Sequence, residues 1–380
     1  MSVFRTLCRC AQVLACVIAL AHAATAAPVD ATAAEPMTLD LEAPGSSSPM
    51  LAPLLRMHGT WPDSCVPKIQ SVRLAGGEID VVARTATLDC RAGATPYEQR
   101  ANPALQAGLL HLPPRVYAVR VHLARGTETP HLHRIDLLDA TENEPAPAVE
   151  NGFWWSAALG DDHVPALAGS GISLERQGDQ LAAGLFGFDA GGAPTWFFGS
   201  ARLDQRTARI PLVRLRNGED LFGEAPAHPV AEIGPELLIE FTGPAQARAW
   251  LVRPSATGSA DAIDVRPLLL QRTAFAGPEP GRGWSGRWVQ VDDGDRDYAP
   301  LLELTPSGSE DGDSFRLEDS RAGVTLTCRI APQPADLPPA ICTLFQGGSK
   351  VVAVFDRIGI DRLEGRTATG GRTRLVRIAD

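Results

Sequence analysis

The sequence lacks the short motifs that identify several common classes of enzyme. It contains no G-x-S-x-G, H-E-x-x-H or G-x-x-x-x-G-K-[ST] segment, so the usual signatures of serine hydrolases, zinc proteases and P-loop nucleotide-binding proteins are missing. The pattern G-x-G-x-x-G occurs once, at residues 281–286, but a Pro-rich segment precedes it and no helical pattern follows. We interpret it as a chance match, and we predict no catalytic residues, no resident metal and no cofactor.

Two further absences narrow the class of partner. No apolar run of 18 or more residues occurs after residue 26, so we expect no transmembrane segment. The chain also has no basic stripe, since 45 acidic residues outnumber 35 Lys and Arg and the formal net charge is −10. A dispersed negative charge repels phosphate backbones, so nucleic acid is not an expected partner.

The N-terminal 26 residues have the pattern of a secretory signal peptide. Arg5 and Arg9 supply positive charge, residues 10–20 form a short apolar core, and small residues then provide cleavage sites after Ala23 or Ala26. The apolar run is too short for a membrane anchor, and a lipoprotein signal ending at Cys16 would leave almost no apolar core. We therefore expect an exported protein, periplasmic or extracellular.

Cysteine is scarce once the signal peptide is set aside. Three of the seven cysteines fall within residues 1–26. The remaining four form two close pairs that lie far apart from each other, and no C-x-x-C spacing points to a metal site. In an exported chain we expect disulfides, with the pairings Cys65–Cys90 and Cys328–Cys342 favoured.

Patterns typical of short β-strands occur along most of the chain. The chain has 36 Gly and 31 Pro, apolar residues alternate in short runs, and no convincing helical period interrupts them. We predict an all-β, multi-domain protein of antiparallel sandwich, meander and small-barrel modules joined by Pro/Gly linkers. The expected divisions are a signal peptide at 1–26, an Ala/Pro/Ser-rich tether or partly ordered arm at 27–57, an immunoglobulin-like β-sandwich at 58–141, an aromatic β-meander at 151–276 and a small disulfide-stapled β-domain at 284–380.

The first of these domains contains two strand patterns. Residues 72–83 read as a hairpin around Ala75-Gly76-Gly77, and residues 117–123 alternate as a half-buried antiparallel strand. The spacing of Trp61-Pro62, Cys65, Cys90 and Thr95-Pro96, followed by a Tyr-x-Val-x-Val strand, resembles an immunoglobulin-like module common in secreted bacterial proteins. That resemblance implies a sandwich and no catalytic residues.

Residues 152–203 hold the densest aromatic positions, with Trp154 and Trp155 at one end and Trp196 and Phe198 at the other. Period-two spacing places Trp196 and Phe198 on one face of a sheet, where they can meet Phe186 and Phe188 across a hairpin. The two adjacent tryptophans point to opposite faces, so either both are covered or one is exposed as a binding platform. We retain Trp154, Trp155, Trp196 and Phe198 as candidate binding residues.

A family resemblance follows from this stretch. The segments GFWW and SGISLERQGDQLAAGLFGFDAGGAPTWFF, and LLLQRTAF about 70 residues after them, resemble a domain repeated in secreted proteobacterial proteins, over about 120 residues. The family's Asn-Pro after the Trp pair is replaced here by Ser156-Ala157, and residues 160–168 are an insertion. The W-x-G-x-W pattern at residues 284–288 resembles a small β-domain that often follows it. The resemblance implies location and architecture and assigns no activity.

Two groups of residues have a spacing that partly matches a metal site. His131 and His133 would share a strand face and His122 is near, but neighbouring acidic residues show no ligand pattern, so we expect solvent-facing histidines. Asp293, Asp295 and Asp297 have the spacing that begins a calcium loop, but Tyr298 and Leu304 occupy the positions that need Gly and Glu. That excludes an EF-hand and leaves a looser calcium turn there or at residues 310–313 as the alternative to a solvated acidic tip.

These observations predict an exported, non-catalytic binding protein that contacts a glycan or an envelope protein through its aromatic domain. Two other hypotheses remain open at this stage. One is a secreted hydrolase with an unrecognised site, and the other is a structural protein of the cell envelope. The sequence leaves the oligomeric state open.

Overall fold

We describe a computed structural model of the chain, in residues 37–42, 54–141, 145–156, 169–218, 222–223, 228–256, 259–274, 281–293, 299–308, 314–329 and 338–378. The described residues form 23 strands, one four-residue helix and one short 3-10 turn. The strands lie in four sheets, two of which close into eight-stranded barrels. The predicted all-β, multi-domain class is therefore confirmed. None of the described helices is long and apolar enough to span a membrane.

The first seven strands build two sheets that share one core, and we call this unit the sandwich. One sheet has the order β1-β2-β5 and the other the order β3-β4-β6-β7. Side chains of both sheets, among them Leu55, Trp61 and Val119, belong to the same buried cluster. The strands are β1 (Thr38–Glu42), β2 (Leu54–Asp63), β3 (Lys68–Ala75), β4 (Glu78–Thr85), β5 (Ala92–Ala101), β6 (Val116–Arg125) and β7 (His131–Asp139), with a short helix α1 (Pro103–Gln106) after β5.

Of the two alternatives for residues 27–57, the partly ordered arm fits residues 37–42, because β1 pairs with β2 and both Met37 and Leu39 are buried in the sandwich core. One sequence prediction for this region needs correction. The strand predicted at residues 117–123 has one antiparallel neighbour, β7, but its other neighbour, β4, is parallel. Tyr117, Val119, Val121 and Leu123 do share the core face. The alternation of apolar residues fixed which residues face the core, but strand direction depends on pairing with a distant segment.

The aromatic region forms the first barrel. Its strands follow one another in chain order, as a meander does, and Trp154 on the first strand pairs with Arg272 on the last, which closes the ring. Inward residues such as Leu237, Ile239 and Phe241 alternate with outward ones and fill the interior. The strands are β8 (Gly152–Ser156), β9 (Gly171–Gln177), β10 (Gln180–Phe188), β11 (Pro194–Arg202), β12 (Thr207–Arg216), β13 (Val230–Gly243), β14 (Gln246–Pro254) and β15 (Ile263–Arg272).

The second barrel has the same connectivity and begins after the 3-10 turn at Arg282–Trp284. Trp284 and Trp288 are fully buried in its core, where the indole nitrogen of Trp288 donates to the carbonyl of Trp284 at 2.9 Å. The strands are β16 (Gly286–Asp292), β17 (Leu301–Gly308), β18 (Ser314–Asp319), β19 (Val324–Arg329), β20 (Ile341–Gln346), β21 (Lys350–Ile358), β22 (Arg362–Thr367) and β23 (Arg372–Arg377).

Both disulfides join the cysteines that the sequence favours, Cys65 with Cys90 and Cys328 with Cys342. Cys328 and Cys342 lie directly opposite each other on β19 and β20 and are fully buried in the second barrel. Cys90 is exposed at the edge of the sandwich. Such bonds persist in oxidising compartments, so they agree with export.

The sandwich packs against the outer wall of the first barrel. Ile135 and Ala118 from the sandwich join Leu238, Trp250 and Val252 from the barrel in one buried apolar cluster. At the border of this contact, Arg209 of the barrel donates to the carbonyl of Ile135 at 2.9 Å. The outward faces of these strands are therefore apolar because they are covered by a neighbouring unit.

Candidate binding surface

Trp154 lies inside the first barrel and is not a surface residue. Its side chain is fully buried and packs edge-to-face with Phe241, with 5.7 Å between ring centroids. Because β8 is part of a closed wall, one of the two adjacent tryptophans had to point into the core. The expectation that Trp154 binds a ligand is therefore wrong, and its role is packing.

Trp155 points outward, as do the other candidate aromatic residues. The exposed fraction is 37% for Trp155, 70% for Trp196 and 55% for Phe198. Large aromatic rings with this exposure, gathered on one wall, are unusual for a surface with no partner. We call this set the aromatic strip, and it consists of Phe153, Trp155, Phe186, Phe188, Trp196 and Phe198.

Neighbouring rings of the strip contact one another across four strands. Phe153 lies 5.8 Å from Trp155, and it stacks on Phe186 with 4.9 Å between centroids. Phe186 in turn lies 5.9 Å from Trp196, its direct partner across the β10–β11 hairpin. Aromatic pairs in such geometry add about 0.5–1.5 kcal/mol each beyond area burial. Phe153, Trp155, Phe186 and Trp196 thus form a connected set of rings that restrain one another, and Phe188 and Phe198 extend the same outward face.

The predicted pairing across this hairpin holds in part. Trp196 meets Phe186, but Phe188 lies opposite Pro194 and Phe198 lies opposite Gly184. The turn between the strands is fixed by Asp189, whose carboxylate accepts hydrogen bonds from the amides of Gly191 and Ala193 at 2.9 Å. A side chain that caps its own turn sets the hairpin register, and that register decides which rings meet.

A glycine makes the stacking possible. Gly171 on β9 pairs with Trp155 on one side and with Phe186 on the other. A Cβ atom at this position would lie 2.8 Å from the ring of Phe153 and 3.0 Å from the ring of Phe186. The two rings therefore occupy the space above the backbone of Gly171. The absence of a side chain at this position of β9 allows them to stack there.

The apolar surface continues onto the next two strands. Phe198 pairs with Val213, and Val213 pairs with Ile233 across β12 and β13. Ile233 is 97% exposed, and Leu215, two residues beyond Val213, is 62% exposed. The outer wall therefore carries aromatic residues at one end and aliphatic residues at the other. This surface offers shape and apolar area, and the side chains of the strip include no ionisable group.

Sequence reasoning missed Phe153 and the aliphatic extension. The period-two spacing of Phe153 and Trp155 was a usable signal, because two residues apart on a strand share a face. Ile233 gave no comparable signal, since its neighbourhood depends on how β13 pairs with β12. Residues 157–168, which contain the insertion of the sequence analysis, lie outside the described residues.

The positions of the three histidines differ from the prediction that they face solvent. His122 pairs across the sheet with Leu132, the residue between the other two histidines, and its ring lies 3.5 Å from Asp80. The ligand group of His131 and His133 is completed by Asp261 and not by His122. His131 and His133 are about five-sixths buried and not solvent-facing, and both approach Asp261 of the first barrel.

Of the calcium-loop candidates, Asp293 lies 3.8 Å from Arg374, whereas Asp295, Asp297 and residues 310–313 lie outside the described residues.

A cleft of about 310 Å³ lies between connector residue Pro145 and the wall of the second barrel. Its charges are mixed, since Arg362 pairs with Glu364 at 2.6 Å within the cleft lining. Further charged residues of the lining are Asp293, Asp356, Arg357, Arg366, Arg372 and Arg374. The presence of carboxylates among the arginines gives this cleft no clear preference for an anion.

Comparison with known proteins assigns neither a family nor a function to the chain. No protein-family model matches the chain, and neither a curated protein nor a solved structure matches it significantly. The resemblances to the proteobacterial aromatic domain and to the immunoglobulin-like module therefore stay predictions.

Proposed function

We propose that the chain is an exported binding protein whose first barrel docks a partner protein through the aromatic strip. The observation that carries the proposal is the connected, outward-facing set of rings, with Trp196 exposed by 70%. Contiguous exposed apolar surface on a soluble protein is characteristic of interaction sites. Tryptophan is also among the residues that contribute most to binding free energy at interfaces.

A protein partner fits this surface better than a glycan does. A sugar stacks on an aromatic ring through its apolar face, but its hydroxyl groups then need polar side chains close to that ring. Here the strip is continued by Val213, Leu215 and Ile233, which offer no hydrogen bonds. An apolar protein surface is complementary to both ends of the strip.

Export is supported by the two disulfides and by the signal-peptide pattern. The partner is accordingly expected outside the cytoplasm, in the envelope or beyond it. A glycan partner remains the second candidate, since Trp155 and Trp196 alone would suffice as a stacking platform.

The proposal is tested by placing a photo-crosslinking phenylalanine analogue at position 155 or 196 in cells that export the protein. The control is position 301, because Leu301 is 55% exposed on the second barrel and lies outside the strip. We expect one discrete protein adduct from positions 155 and 196 and none from 301. The purified partner should then bind at least tenfold more weakly to Trp196→Ala than to Leu301→Ala.

Three outcomes would overturn a protein partner at the strip. The first is equal crosslinking from all three positions. The second is a purified partner whose affinity does not change in Trp196→Ala. The third is retention on a polysaccharide column that is lost in Trp155→Ala and Trp196→Ala, which would assign the strip to a glycan. A crosslinked dimer of the chain itself would identify the partner as a second copy.

A further inference from the structure

Three potential ligand side chains from two different units converge at the border between the sandwich and the first barrel. His131 and His133 lie on β7, and Asp261 lies in the turn between β14 and β15. One ligand atom from each of the three lies within 4.8 Å of the other two. His133 and Asp261 are 128 residues apart in sequence, so only the docking of the two units brings them together.

The distances match those between the ligands of one small cation. Nε2 of His131 lies 3.2 Å from Oδ1 of Asp261, and Nδ1 of His133 lies 3.6 Å from Oδ2. Two ligands bound tetrahedrally at about 2.0–2.1 Å from zinc are separated by about 3.3 Å. The donor set of two imidazoles and one carboxylate also suits zinc and similar divalent transition ions.

A second observation concerns the nitrogen of His131. Nε2 is screened from solvent, and within the described part of the chain it has no aligned hydrogen-bond partner, although Asp261 is close. Leaving a buried polar nitrogen without an aligned partner costs about 1–3 kcal/mol. A cation placed between the nitrogen and the carboxylate would satisfy both.

We propose that His131, His133 and Asp261 form a binding site for a divalent transition-metal ion of the zinc class, which clamps the sandwich to the first barrel. Three protein ligands leave a fourth position for water or another donor. The carbonyl oxygen of Asp261, 3.1 Å from Nδ1 of His133, is within reach of the same site. In this contact Nδ1 carries the proton, because a carbonyl oxygen only accepts. Metal binding through Nδ1 therefore requires the ring to change tautomer, with the proton lost from Nδ1 to solvent and one taken up at Nε2.

The surroundings are consistent with this role. The ring of His133 packs against Trp61 of the sandwich with 6.5 Å between centroids, which holds the imidazole in place. Arg125 lies 3.4 Å from Oδ2 of Asp261, where its guanidinium competes with a cation.

The test is zinc titration by calorimetry of mature protein that carries no polyhistidine tag and has been treated with EDTA and desalted. We expect one Zn²⁺ per chain at micromolar or tighter affinity, and at least a tenfold loss of affinity in Asp261→Asn and in His131→Ala. His122→Ala is the matched control, since that histidine pairs with Asp80 and should leave affinity unchanged. Arg125→Ala should bind Zn²⁺ more tightly than the unmodified chain, because a competing cation is removed.

Cobalt provides a second readout that a variant with altered folding would not imitate. Co²⁺ bound by three protein ligands and water in a tetrahedral site should give intense visible absorption, which Zn²⁺ displaces. Retention of full affinity in the His131→Ala, His133→Ala double variant would overturn the proposal. Failure of the native protein to bind either ion would overturn it as well. A protein partner at the aromatic strip would be unaffected by either result.

Discussion

The carboxylate of Glu150 accepts a hydrogen bond from the backbone amide of Ile360 at 2.8 Å. The two residues are 210 positions apart, and the contact joins the connector after the sandwich to the second barrel. The same carboxylate accepts from the amide of Asp361 at 2.8 Å and from Arg272 of the first barrel at 3.1 Å. Glu150, at the end of this connector, therefore ties the two barrels together.

Removal of this carboxylate should loosen the second barrel. Glu150→Ala leaves the backbone amides of Ile360 and Asp361 without their acceptor. It also removes one partner of the largely buried Arg272, which keeps the carbonyl of Asn151 and the carboxylate of Asp361. Loss of a buried charged partner costs about 3 kcal/mol. We expect a lower midpoint for one of the calorimetric unfolding transitions. Glu175→Ala, which removes an exposed carboxylate from β9, is the control and should have little effect. An unchanged profile in Glu150→Ala would contradict the bridging role.

The contribution of Glu150 should depend on pH. Burial raises the pKa of Glu150 above its ordinary value of 4.5, against the opposing effect of the amide hydrogen bonds and of Arg272. Between the two pKa values the folded state binds more protons than the unfolded state, so this group's contribution to stability falls as pH rises. The difference in unfolding free energy between native protein and Glu150→Gln should therefore decrease from pH 4 to pH 8. Other groups are the same in both proteins, so an increase over this range would refute the assignment.

The two disulfides should differ in their response to reductant. Cys328 and Cys342 are fully buried, whereas Cys90 is exposed, and thiol exchange requires access to sulfur. Under native conditions, alkylation and mass spectrometry should show that the Cys65–Cys90 bond is reduced first. A separate effect is expected on stability: replacing Cys328 and Cys342 together by Ala should lower the free energy of unfolding by about 3 kcal/mol, since the bond closes a loop of 14 residues. Simultaneous reduction of both bonds in the folded protein would contradict the difference in solvent access between Cys90 and the buried Cys328–Cys342 pair.

Fluorescence quenching should separate the tryptophans. The chain has seven, and only Trp155 and Trp196 expose more than 6% of their surface. Acrylamide should therefore quench two components strongly, and Trp196→Phe should remove the larger of them. Trp154→Phe should leave the accessible fraction unchanged and should instead destabilise the first barrel by about 1–3 kcal/mol, because it opens space in a packed core. Loss of a strongly quenched component in Trp154→Phe would show that Trp154, and not Trp155, points outward from the barrel.

A single methyl group should perturb the aromatic strip without changing its composition. Gly171→Ala places a Cβ atom 2.8 Å from the ring of Phe153, so the rings of Phe153 and Phe186 must move apart. The matched control is Gly184→Ala on β10, where an added Cβ atom meets only Ser173 at 4.0 Å. We expect near-ultraviolet circular dichroism to change in Gly171→Ala and not in Gly184→Ala, with the strand content of both unaffected. Identical spectra for Gly171→Ala and native protein would refute the stacking.

The amino-acid sequence by itself determined the local features. Period-two alternation identified the strands and placed Trp196 on the same face as Phe186 and Phe188, and the spacing of the cysteines favoured both disulfides. These features are predictable because they depend on residues close in sequence, where turn chemistry and strand geometry leave few alternatives. The alternation also required Trp154 and Trp155 to point in opposite directions.

Only the tertiary structure decided which direction was inward. Closure of the ring through β8 and β15 buried Trp154 and exposed Trp155, and a pattern of period two is the same for either choice. The meeting of His133 with Asp261, and of Glu150 with Ile360, likewise depends on the packing of outer surfaces from distant segments. No local preference encodes such contacts, since they arise from pairing and docking between parts of the chain more than 100 residues apart.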